Sequence, residues 1–170
     1  MDYILKMCAT FITPGWEPSS LLPATVIPFN DCYELRDLVC VGDHIAVLNP
    51  NGVWHHGIYV THGITSMVVE VWEESSHVIW RKFSQFVSEG TRFALIEYAE
   101  GAALSHTDTA SLALYLCEAT ESVNIPLNNS IHFAILCRTL SWEQAQAQSI
   151  TQCLESLPKK QVIPIKRGFK

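Results

Sequence analysis

The sequence predicts an α+β domain in which an antiparallel sheet is built first and helices follow it. Short β-rich runs occupy residues 43–98 and are separated by turn signals such as Pro50-Asn51-Gly52. From Ser105 onward the pattern changes to Ala- and Leu-rich segments preceded by N-cap residues. Strands and helices are segregated instead of alternating, which argues against a parallel βαβ sheet. The 170 residues, 48% hydrophobic and only 16% charged, suit one domain with a real core and exclude wholesale disorder.

Taken in order, residues 1–37 form a Pro-rich arm. Pro14, Pro18, Pro23 and Pro28 block helix and central strand alike, so the arm is expected to lie extended on a surface, pinned by Trp16, Leu21 and Phe29. Residues 38–158 form the domain proper. Asp43–Leu48 is a strand with Ile45 and Val47 on one face. His55–Val60 and Met67–Trp72 form a hairpin closed by Thr61–Ser66, with Gly63 in the loop. His77–Lys82 and Thr91–Tyr98 are further strands, and Ser84–Gly90 is one helical turn stopped by glycine. Ser105-His-Thr-Asp108 has the form of a capping box and opens a helix over Thr109–Glu121. Asn128-Asn129 caps a second helix, Ser130–Leu140. Ser141-Trp-Glu-Gln144 opens an amphipathic third, carrying Trp142, Ile150, Leu154 and Leu157 on one stripe and stopped by Pro158.

The formal net charge is −6, which disfavours a nucleic-acid partner. It is unevenly spread. Residues 1–158 hold 6 basic and 17 acidic side chains, whereas residues 159–170 hold Lys159, Lys160, Lys166, Arg167 and Lys170 and no acid. Such a basic tail is a solvated end, an intramolecular clamp or a contact to an anionic membrane surface. Six scattered cysteines show no C-x-x-C spacing, and no basic stretch leads into an apolar run near Met1-Asp2. Reduced thiols, a cytoplasmic location with peripheral membrane contact, and no transmembrane helix are the expectations. His44, His55, His56 and His62 lack ligand spacing, so neither metal nor cofactor is expected.

Two segments carry chemistry. In His55-His56-Gly57-Ile58-Tyr59-Val60 the apolar neighbours of His56 place it on a packed face and His55 on the other. A hairpin symmetric about its loop pairs residue 60 with residue 67, which sets Glu70 diagonal to His55 on the same face. A carboxylate there orients an imidazole as the third member of a triad does. In Asn128-Asn129-Ser130-Ile131-His132-Phe133, Ser130 opens a helix, where free N–H groups favour negative charge. A cysteine there would ionise readily, whereas a serine needs a base. The plainer alternatives are a structural strand histidine and a serine that merely caps.

Together with Gly42-Asp43-His44-Ile45 and the run through Phe133-Ala134 to Cys137-Arg138-Thr139, these segments resemble the lecithin–retinol acyltransferase-like proteins, especially plant-type members. Their hallmarks are an H-box, His-(Trp/Tyr/His)-(Ala/Gly)-Ile-Tyr-Val, and a later Asn-Cys-Glu-His-Phe motif. The likeness spans residues 38–140 in the family's order. It implies a circularly permuted papain-like fold and acyl transfer from phospholipid through a thioester, as in phospholipases A and acyltransferases. Some viral members serve instead as host-interaction modules. Carried over, His55 matches the base, Glu70 the third polar position, and Ser130 the nucleophilic cysteine. Ile131 and Leu140 also depart from the motif. The serine is either natural or engineered to disable a working enzyme, and the sequence alone does not separate these, though Ile131 and Leu140 have no obvious engineering purpose and hint at natural drift. Cys137 cannot replace the nucleophile, lying seven residues along the same helix and about 10 Å away. The resemblance therefore implies an inactive or slow acyltransferase-type domain. The alternative is a non-catalytic interaction module, with a protein, a phospholipid acyl donor or an anionic membrane surface as partner.

Overall fold

In the computed structural model the described residues are 25–27, 35–72, 77–88, 90, 92–98, 101–119, 130–140 and 151. Six strands form one sheet: β1 (Thr25–Ile27), β2 (His44–Leu48), β3 (Trp54–His62), β4 (Thr65–Trp72), β5 (His77–Lys82) and β6 (Arg92–Ile96). Their spatial order is β1-β6-β2-β3-β4-β5, and every neighbouring pair is antiparallel. The helices are α1 (Phe83–Ser88), α2 (His106–Ala119) and α3 (Ser130–Thr139). The class is α+β, with the two longer helices after the sheet.

The β3–β4 hairpin pairs Val60 with Met67, in the expected register. Its strands run further than the sequence suggested, and the loop contracts to Gly63-Ile64 because His62 pairs with Thr65. Gly63 has φ 60°, which the first central residue of a type II′ turn demands. Ile64 is thereby turned fully into solvent. Within the arm, Thr25–Ile27 adds the edge strand beside β6. Edge placement suits a Pro-rich segment, since a missing N–H there costs no ladder bond. The segment that includes Asn128-Asn129, the third expected helix apart from Thr151, and the basic tail lie outside the described residues.

Alternation along the strands gives the sheet two unlike faces, and both are covered. On one, Ile58, Val60, Val69, Val71 and Val78 pack against Ala110, Ala113 and Leu116 of α2 and Phe133, Ala134 and Leu136 of α3. Ala46, Ala94, Ile96 and Trp54 extend this layer to Ile131 and Ile135. On the other, Ile45, Val47, Tyr59, Val68, Phe93 and Leu95 pack against Phe83, Phe86 and Val87 around α1 and against Leu35 and Val39. Each valine, leucine, isoleucine or phenylalanine removed from water contributes about 1.5–3 kcal/mol, so the two layers hold the helices in register with the strands.

Ser105 caps α2, forming the serine half of the expected capping box. Ser105 Oγ accepts the Asp108 N–H at 3.0 Å and donates to Asp108 Oδ2 at 2.7 Å, which starts α2 at His106. At the end of α3, Leu140 has φ 57°, and its N–H closes on the Leu136 carbonyl at 2.8 Å. A left-handed residue is the common way to end a helix.

Candidate functional site

The helix face of the sheet carries a chain of buried polar groups. His44 and His56 pair across β2 and β3 with Ile58 and Ala46 respectively, so the two imidazoles sit diagonally on one face. His44 Nε2 and His56 Nδ1 are 2.8 Å apart, and His44 Nδ1 lies 2.9 Å from the Tyr98 hydroxyl. Arg138, in the last turn of α3, stacks over the Tyr98 ring at 5.1 Å. Its Nη1 donates to the Leu104 carbonyl and to Thr109 Oγ1, both at 3.1 Å. One guanidinium thus ties α3 to the start of α2 and to the strand layer.

Burial sets the charge of this chain. It lowers the His56 imidazole from 6.5 to about 3, with the nearby His55 adding to the effect. His44 is driven well below its ordinary value by burial, then by His56 and Arg138. Burial raises the Tyr98 hydroxyl above its ordinary value and outweighs the opposite pull of Arg138. At neutral pH the three rings are neutral, and two protons shared along two hydrogen bonds satisfy them.

Ser130 meets this chain through the backbone. It is the first residue of α3 and only 2% exposed. Its Oγ accepts the His56 N–H at 3.0 Å. Pairing of β3 with β4 begins at Ile58, so the His56 N–H lies beyond the ladder and the serine hydroxyl takes it up. The hydroxyl acts here as an acceptor that fastens the helix start to the strand.

The other face holds a second cluster. Glu70 is fully buried and bonded to His55 Nε2 and to the Arg81 guanidinium. Phe86 lies under both partners, its ring 5.7 Å from the His55 ring and 5.5 Å from Arg81 Cζ. The side chains of His55 and Arg81 are each 13% exposed. Cation–π contact and charge-assisted hydrogen bonding together fix the carboxylate.

Of the three residues singled out by sequence, the fold brings His55 and Glu70 together and leaves Ser130 with the other histidine. His55 packs with Phe86 on the α1 face, whereas Trp54 and His56, its neighbours along β3, belong to the face covered by α3. The expected His55–Glu70–Ser130 triad is therefore not assembled. The reason is local: β3 stays extended through residue 55, so adjacent side chains point to opposite faces.

Sequence reasoning missed His44, Tyr98 and Arg138 as members of the buried chain. The signal lay in Gly42-Asp43-His44, whose strand neighbours are apolar. In the structure Gly42 has φ 90°, and a Cβ there would collide with the His106 backbone. Asp43 Oδ2 accepts the Cys40 N–H at 2.7 Å, and its Oδ1 accepts from His106 Nε2 at 3.0 Å. That motif joins the β2 entry to the start of α2.

His44, His55, His56 and His62 do not converge, and no group of three or more His, Cys, Asp or Glu could hold a metal ion among the described residues. No helix among those residues is long and apolar enough to cross a membrane. Family models, curated proteins and solved structures contain no match to this chain.

Proposed function

We propose that this chain is a lecithin–retinol acyltransferase-like domain on the permuted papain-like plan that has lost acyl transfer and is kept as a non-catalytic interaction module for a protein partner. Motif order over residues 38–140 and an antiparallel sheet followed by helices support the family reading. The observation that carries the loss of activity is the placement of Ser130. Acyl transfer needs a hydroxyl or thiol that passes its proton to a base while attacking a carbonyl, and amide N–H groups that receive the oxyanion. Ser130 Oγ is buried and already bonded to the His56 N–H, while His55 with Glu70 stands across the sheet. His56, the imidazole on the Ser130 face, is a poor base because burial opposes its cation. Trp54, Tyr98 and His44 pack in this same layer.

The test is intact-mass measurement after exposing the chain and its Ser130→Cys variant to phosphatidylcholine as acyl donor. The proposal expects no acyl adduct on either protein. An adduct on Ser130→Cys that disappears in Ser130→Cys/His55→Ala would restore the acyltransferase reading.

A further inference from the structure

The register of the sheet decides which backbone groups β5 turns outward. A two-residue hairpin loop closes on a hydrogen-bonded pair, here His62 and Thr65, and such pairs then recur at every second position. On β4 the odd-numbered residues therefore bond to β3, and Val68, Glu70 and Trp72 bond to Arg81, Ile79 and His77 of β5. Val78, Trp80 and Lys82 direct their N–H and carbonyl groups away from β4. The Val78 carbonyl agrees with this sense, because it accepts the Cys117 thiol from outside the ladder at 3.7 Å. β5 is the outer strand of the described sheet, and among the described residues no hydrogen bond reaches the Trp80 backbone. Trp80 is 43% exposed and stands edge-on to the His62 ring at 5.0 Å, on the face that Val78 presents to the helices. Arg81 points to the other face, where it is committed to Glu70.

An outer strand with an open donor and acceptor is a template for one more strand. We infer that β5 pairs antiparallel with β5 of a second copy of this chain, about a two-fold axis at Trp80. The occupant follows from what that register sets face to face. Trp80 meets Trp80, so the two open N–H groups and the two open carbonyls satisfy each other while the exposed indoles pack as a cross-strand aromatic pair. The neighbouring pairs are Lys82 with Val78 and Arg81 with Ile79. No cation therefore faces a cation, which would oppose the pairing. Lys82 lies diagonal to the second indole, within cation–π reach of a long side chain. The same patch serves both copies, as a two-fold contact requires, and both sets of helices stay on one side of a continuous sheet. Such a contact is small, so its dimer is weak and reversible. It involves neither Ser130 nor His55 and does not depend on the loss of acyl transfer.

Sedimentation equilibrium of the full chain, with amide hydrogen exchange at low and high protein concentration, tests the pairing. A monomer–dimer equilibrium in the sub-millimolar range is expected. The Trp80 amide should exchange more slowly as the dimer forms, whereas the Ile79 amide, already bonded to Glu70, should be unchanged. Trp80→Lys sets two cations face to face on the axis and should weaken dimerisation by about tenfold or more. Trp72→Lys, which alters an indole 42% exposed elsewhere on the sheet, should leave dimerisation as it is. A chain that stays monomeric to the millimolar range, a dimer whose Trp80 amide exchanges as fast as in the monomer, or equal weakening by Trp72→Lys would overturn the inference. The exchange measurement uses the parent chain, so it decides the question even where Trp80→Lys fails to fold.

Discussion

Ser130 and His56 show how a hydroxyl at a helix start takes on a structural task. The His56 N–H is buried, lies beyond the β3–β4 ladder, and depends on Ser130 Oγ for its hydrogen bond. Ser130→Ala leaves that donor unpaired, at a cost of about 1–3 kcal/mol measured by urea unfolding. A residue with no structural task would change stability by a few tenths. The two buried imidazoles give a second prediction, with a definite sign. Their folded pKa values lie below the unfolded value of 6.5, so the unfolded chain binds protons first as pH falls. Stability is full above pH 6.5 and declines below it, by up to about 1.4 kcal/mol per pH unit for each histidine. For His56 the decline continues to about pH 3. Urea midpoints between pH 7.5 and 5 should fall steadily, and less steeply in His56→Gln. A flat profile for the parent chain would show that the imidazoles are not held neutral by burial.

At the scale of elements, the β3–β4 hairpin and the helix capping were legible because their determinants are close in sequence. Gly63 fixed the turn and hence the Val60–Met67 pair, and from that register the His55–Glu70 contact followed. The face on which α3 packs was not legible. Ser130 is seventy-four residues from His56, and nothing local to either says which side of β3 the helix will cover. Apolar residues beside His56 marked a packed face, yet the covering element could be known only from the fold. His44, Tyr98 and Arg138 escaped for the same reason, since their partners lie 12 to 54 residues away. The Glu70 cluster, joining β3, β4 and β5, yields a further prediction. Glu70→Ala strands Arg81 and His55 over Phe86 and should cost about 3–5 kcal/mol, the usual penalty for breaking one side of a buried ion pair. Glu70→Leu combined with Arg81→Met should recover most of that loss in urea unfolding. At the junction of β2 and α2, Gly42→Ala forces both a left-handed alanine and a clash with the His106 backbone. A loss of more than about 2 kcal/mol and accelerated hydrogen exchange at the start of α2 are expected.

For the whole molecule, the sheet separates two polar systems. The helix face holds a neutral, solvent-excluded chain from Ser130 to Tyr98, and the α1 face holds the buried His55–Glu70–Arg81 group. A catalytic triad would need members from both sides. The acidic body and basic tail form another asymmetry. The tail, with Val162, Ile163, Ile165 and Phe169 among its cations, is proposed to contact anionic membrane surfaces weakly. Deleting residues 159–170 should reduce co-sedimentation with phosphatidylserine-containing vesicles, and added salt should have the same effect. Unchanged binding of the truncated chain would remove the tail from any such role. The central claim, that residue 130 and His55 serve opposite faces and form no triad, is tested most directly by thiol reactivity. Iodoacetamide labelling of Ser130→Cys at pH 7, read by peptide mass, should proceed no faster than at an ordinary thiol and should be unchanged by His55→Ala. Labelling that is faster than an ordinary thiol and slowed by His55→Ala would contradict the account.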